Sequence, residues 1–271
     1  MKMNSSWLYQ LDTLWIVAGL LVAMAVAGEV GSRVGQRWHP RTDEAGRGHI
    51  GSVLGSLLGL LALLLSFTFA MSVSRYDTRR QLVVNDANVL GGLYFQSSLL
   101  PDTPRKAFKQ LLRQYVDLRA RTADLRRDRT DDEILQAAAQ SESIRNQMWM
   151  VLKGAAEAQP PARIADAMLE RLIAAISVER ERLFAWESRV PDPVIWLLLF
   201  GALTAITVIG FFGGLGNHRG LPARIAVTVM LCGTIYVTLD LDKPHQGFIR
   251  VSQSPMLHLK QILDRDAETK L

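Results

Sequence analysis

"GSVLGSLLGLLALLLSFTFAMSVSRYDTRR", residues 51–80, runs for about 24 residues without a charge and then meets a cluster of them. An uncharged apolar run of about 18 residues or more is long enough to cross a bilayer as a helix. The stretch is not uniform along its length. Gly51, Gly55 and Gly59 recur at every fourth position, Phe67 and Phe69 stand near its end, and Arg75, Arg79 and Arg80 follow. This helix is narrow at one end, and aromatic and then basic at the other.

Three further runs share its apolar character. The four predicted spans cover about 13–31, 50–74, 194–216 and 221–239. The first ends beside Glu29. The fourth carries Arg224 near its start, where a long stem can reach the interface. The first run does not read as a cleavable signal peptide: Lys2 is its only basic flank, Asp12 precedes it, and no small-x-small site with a polar mature start follows. Cys232 is alone and inside the fourth run, so no disulfide framework exists. The net charge of +5 suits cytoplasmic juxtamembrane arginines. No zinc-finger or aromatic RNA-binding pattern accompanies it, so nucleic acid is not an expected partner.

Between the second and third spans the chain is rich in Ala, Leu, Arg and Glu and reads as helical throughout. "RQLVVNDANVLGGLYFQSSLL" continues the second membrane helix into water, with an expected interruption near Gly91 and Gly92 and a stop at Pro101. "PRKAFKQLLRQYVDLRARTADL" opens on a proline in the first turn and repeats Phe108, Leu111, Leu112, Tyr115 and Leu118 at helical spacing. A charged link, "RRDRTDDE", precedes a helix over 132–157, and "QPP" ends it. "ARIADAMLERLIAAISVERERLFAWES" returns to the membrane, and "VPDP" breaks the helix before the third span. The expected organisation is an all-α polytopic membrane protein. Its divisions are a first helix pair (1–74), a helical soluble domain (75–192), a second helix pair (193–240) and a C-terminal tail (241–271).

Lysine and arginine near the spans set the expected orientation. One side carries Arg33, Arg37, Arg41, Arg47, Arg219 and Arg224. The other carries Lys2, Arg75, Arg79, Arg80, Arg180, Arg182, Arg189, Lys243 and Arg250, which places the helical domain and both termini in the cytoplasm.

The glycine ladder of the second span lets another backbone approach closely, either within the chain or around an oligomer axis. Phe67 lies two turns beyond Gly59 and roughly 80° away around the helix. An aromatic there faces lipid or a neighbouring helix. If several copies surround an axis, Leu63 and Phe67 instead form a hydrophobic constriction, and Arg75 and Arg79 form an anion-attracting mouth.

"FTFAMSVSRYDTRR" resembles the second membrane helix of bestrophins, the anion channels, in which a phenylalanine precedes an arginine by eight residues. Phe67 and Arg75 match that spacing. Over nearly the whole chain the sequence is similar to a bacterial family of bestrophin-like membrane proteins with four spans and a helical insert. "SRYDTRRQLVVNDANVLGG", "LLRQYVDLR" and "LDLDKPHQGFIRVSQSPMLHL" carry that resemblance. It implies the architecture and a place in the bacterial inner membrane. The sequence lacks the dense acidic cluster of the calcium clasp of animal bestrophins.

Asp240 and Asp242 end the last span, beside a turn at Pro244 and Gly247 and near His245. Their alternate spacing does not supply enough convergent oxygens for calcium, so pairing with Arg75 or Arg79 is expected rather than a metal site. Glu29 reads as an interfacial acid with an arginine partner. The histidines are scattered without metal-ligand spacing, and no phosphate loop, nucleophile elbow or catalytic carboxylate pair appears. No enzyme activity and no cofactor are expected. The expected function is a homo-oligomeric, anion-conducting pore lined by the second span, with the lipid bilayer, further copies of the chain and an inorganic anion as partners. The alternative is a non-conducting scaffold or sensor whose helical domain binds another protein.

Overall fold

A computed structural model describes residues 12–39, 44–124, 131–158, 163–216, 221–243 and 248–268. Among the described residues all regular structure is helical. The elements are α1 (Thr13–Trp38), α2 (Glu44–Ser97), α3 (Asp102–Asp124), α4 (Asp131–Ala158), α5 (Arg163–Glu187), α6 (Asp192–Leu215), α7 (Leu221–Asp242) and α8 (Ser254–Glu268). Four of them, α1, α2, α6 and α7, are long and apolar enough to cross a membrane. The links at 125–130 and 159–162, together with Lys2, Arg41, His218, Arg219, Pro244, His245 and Gly247, lie outside the described residues.

The chain divides into two compact units, residues 1–76 with 189–250 and residues 77–188 with 251–271. In the first, Leu20, Met24, Leu61, Ile195, Leu198, Ala202, Ala205, Ile206 and Ile235 form the buried core. Its closest packing is between α1 and α6. A methyl added at Gly31 would collide with the carbonyl of Thr207, one at Gly35 with that of Phe211, and one at Gly210 with that of Gly28. The two backbones therefore touch, as glycines permit in an apolar setting where dispersion rather than water exclusion drives association. Arg224 closes one end of this seam. Its Nη1 donates to Gly28 O at 2.8 Å and its Nη2 lies 3.7 Å from Glu29, which also pairs with Arg33 at 3.0 Å.

The second unit packs α3 against α4 and α8, and α4 against α5, around Leu90, Leu93, Phe108, Leu112, Tyr115, Met148, Leu152, Met168 and Leu172. Two expectations need correction here. The break near Gly91 and Gly92 does not occur, because α2 continues to Ser97. Helical glycine costs about 1 kcal/mol relative to alanine, and burial of Leu90, Leu93 and Tyr94 on the same turns offsets it. Gly91 instead leaves room for Leu259 and Gly92 for Arg171. The second correction concerns 241–271. It is not a bare tail, because α8 buries Met256, Leu259 and Leu263 in the core of this unit.

Candidate functional site

Of the four candidate spans, α2 is the least enclosed by its own chain. Only 11% of its most apolar stretch is buried, against 22%, 33% and 39% in α1, α6 and α7. Its inward side carries Leu61, Thr68 and Ser72, all buried, at i, i+7 and i+11. The opposite side is open. Leu63 is 52% exposed and Phe67 is 62% exposed. Thr68, Ser52 and Ser56 return their hydroxyls to carbonyls one turn earlier, at 2.7, 3.1 and 3.1 Å, whereas the buried Ser72 hydroxyl has no hydrogen-bond partner.

The glycine ladder splits in use. Gly51 leaves space for the ring of Phe212, at 3.5 Å from where a methyl would sit. Gly55 and Gly59 face nothing within 4 Å. The tight intrachain seam is made by Gly28, Gly31, Gly35, Gly210 and Gly214, which the sequence reading passed over. Their signal was present in "GEVGSRVG" and "GFFGG", both small-residue patterns at helical spacing.

The charged end of the helix also divides. Arg75 is partly exposed, and its Nη1 lies 3.4 Å from Oδ1 of the buried Asp242. Asp242 in turn accepts the backbone N–H of Val190 at 3.0 Å. Arg79 was expected at the mouth beside Arg75 but is enclosed, with 1% of its surface exposed. Its Nε donates to Ala185 O at 3.0 Å and its Nη2 to Ser188 O at 2.7 Å. The last carbonyls of a helix lack intrahelical donors and carry partial negative charge, so a cation at the end of α5 satisfies both. Asp240 serves the backbone, accepting from Phe248 N at 2.9 Å and Ile249 N at 2.7 Å. Both aspartates are thereby occupied, and among the described residues no group of three or more His, Cys, Asp or Glu could hold a metal ion.

A second ionic cluster escaped the sequence reading. Asp86, fully buried, takes the guanidinium of Arg119 at 2.6 Å and that of Arg182. Arg119 also reaches Glu179 at 2.5 Å, and Glu179 receives Arg145, Tyr115 Oη at 2.8 Å and Ser141 Oγ at 3.3 Å. Burial alone would raise the Glu179 carboxyl, but Arg119, the Tyr115 hydroxyl and Arg145 outweigh it and hold it below the usual carboxylate range. Burial pushes the Tyr115 phenol up, so it stays a hydrogen-bond donor. Asp86 shares a helix face with Val83 and Leu90, and an acid on an apolar stripe is the signal that would have found it.

Three solved structures of a bacterial bestrophin homologue from Klebsiella pneumoniae share this fold. One singly substituted form matches with TM-score 0.63 at 16% identity, over 91% of this chain and 97% of that one. Another gives TM-score 0.62 at 17% identity, over 93% and 97%. A structure phased on zinc gives TM-score 0.60 at 15% identity, over 93% and 96%. No functionally curated protein matches the sequence. The bestrophin-like domain matches residues 19–256, and with four spans and a helical insert in place the chain belongs to the bestrophin-like family.

Proposed function

We propose that this membrane protein assembles with copies of itself into an anion-conducting pore of the bacterial inner membrane, lined by the open face of α2. The observation that carries the reading is the exposure of Leu63 and Phe67 on the least enclosed span. Bestrophins are anion channels, and membership of the bestrophin-like family supports the same activity here. Around an axis, Gly55 and Gly59, which meet nothing within their own chain, receive the backbone of a neighbouring copy, and the path runs along the rest of the open face. Rings of Leu63 and Phe67 then narrow it and exclude water, a barrier that can gate by dewetting. Arg75 follows two turns beyond Phe67 and favours anions over cations. Its partner Asp242 offsets part of that charge while holding the guanidinium in place. The lysine and arginine balance supports a cytoplasmic helical unit.

Chloride flux from proteoliposomes tests the reading. Phe67→Ala removes the larger ring, so flux should rise while the assembly keeps its size. Arg75→Glu should lower the chloride-to-potassium preference. A correctly sized Phe67→Ala protein as silent as vesicles without protein would reject the pore and favour a scaffold.

A further inference from the structure

Within the helical unit, α3 presents Arg105, Lys106, Lys109 and Arg113 along the side that adjoins its buried Phe108, Leu112 and Val116. These four cations line a groove of about 540 Å³ completed by Ser98, Gln110, Asp266 and Ala267. Its floor is built rather than incidental. Lys109 is 9% exposed, with Nζ 4.3 Å from the ring centre of Tyr94 and 3.1 Å from Asp266. Arg113 stacks over the same ring at 5.9 Å and donates from Nη2 to Tyr94 Oη at 3.1 Å. Tyr94 Oη in turn donates to Asp266.

The charge does not close. Asp102 engages Arg105 and Asp266 engages Lys109, while no described carboxylate pairs with Lys106 or Arg113. Arg113 Nε is shielded from solvent and has no acceptor, so this guanidinium has donors to spare. Two uncompensated cations beside a buried ammonium favour an anion. Several convergent N–H donors suit a ligand with more oxygens than a carboxylate offers. The groove lies in the size range of small-molecule sites and exceeds a single inorganic anion.

We infer that this groove binds a phosphate-bearing ligand, with Lys106 and Arg113 contacting the phosphate oxygens and Lys109 and Tyr94 forming the base. Such a group can arrive on a soluble polyphosphate or on a lipid headgroup, and two arms separate these sources. In the first, full-length protein in maltoside micelles is titrated calorimetrically with sodium tripolyphosphate, with sulfate at matched ionic strength as reference. In the second, native mass spectrometry counts cardiolipin retained on protein released from phosphatidylcholine nanodiscs containing cardiolipin. Lys106 is exposed, so Lys106→Glu leaves the fold intact. It should weaken binding at least about tenfold in one of the arms. Lys153→Glu, which reverses an exposed charge on α4, should leave both arms unchanged. Loss in the first arm identifies a soluble phosphate, and loss in the second a headgroup. Binding in neither arm, or equal binding by wild type and Lys106→Glu, overturns the site.

Discussion

Substituting alanine at Gly31 and, separately, at Gly55 places the same methyl on two glycines of similar sequence context and asks which of them the fold uses. At Gly31 the added carbon meets the carbonyl of Thr207 and the backbone nitrogen of Phe211. Neither can swing aside, so α1 and α6 must part by roughly an ångström along a seam where Gly35, Gly210 and Gly214 meet backbone carbonyls about as closely. Overpacking against side chains costs about 1–3 kcal/mol, and backbone contact belongs at the upper end, about 3. Alanine's higher helix propensity returns about 1, leaving a net loss of about 2 kcal/mol. At Gly55 nothing lies within 4 Å, so only the propensity gain of about 1 kcal/mol remains for the single chain. The two variants should then differ by about 3 kcal/mol, or roughly 6–12 °C in thermal midpoint. Thermal unfolding in detergent, followed by circular dichroism, reads that gap. Equal midpoints, or a lower one for Gly55→Ala, would refute the assignment of the tight seam to α1 and α6. Gly55→Leu carries the argument to assembly: the chain should fold while its oligomer comes apart if α2 faces further copies.

Glu179→Gln should destabilise the helical unit by about 3–5 kcal/mol, because it leaves Arg119 and Arg145 without their shared anion. With the folded Glu179 pKa depressed, its stabilisation is complete above the ordinary glutamate value and fades as pH falls through the lower folded value. Melts between neutral and acid pH should thus converge for wild type and variant at low pH, and parallel curves would contradict the linkage. For topology, Gly46→Cys should react with an impermeant thiol reagent from the periplasm, while Ser143→Cys should react only in opened cells. Ser143 is exposed, whereas the neighbouring Ser141 is buried against Glu179 and would report poorly.

What the sequence determines by itself follows from quantities local to the chain. A span needs only an apolar run of sufficient length, so all four can be read without knowing any neighbour. The amphipathic face of α3 is likewise local, since Phe108, Leu112, Tyr115 and Val116 fall on one stripe. Even α8 was legible in principle, from the spacing of Met256, Leu259 and Leu263, although the charges around them obscure it. Tertiary structure decides the pairings, because these join residues distant in the chain. Asp86 meets Arg182 across 96 positions, and Gly31 meets Thr207 on a helix that no local pattern selects. From sequence, Asp240 and Asp242 are equal candidates for Arg75 and Arg79. The fold gives Asp242 to Arg75, Asp240 to the amides of 248 and 249, and Arg79 to the carbonyls ending α5. Glycine in a helix is ambiguous for the same reason. An absent side chain is filled at Gly31 by another backbone and at Gly91 by Leu259, and it is left open at Gly55. Only the position of the neighbours distinguishes these cases, because the energy of a missing methyl lies in what occupies its place.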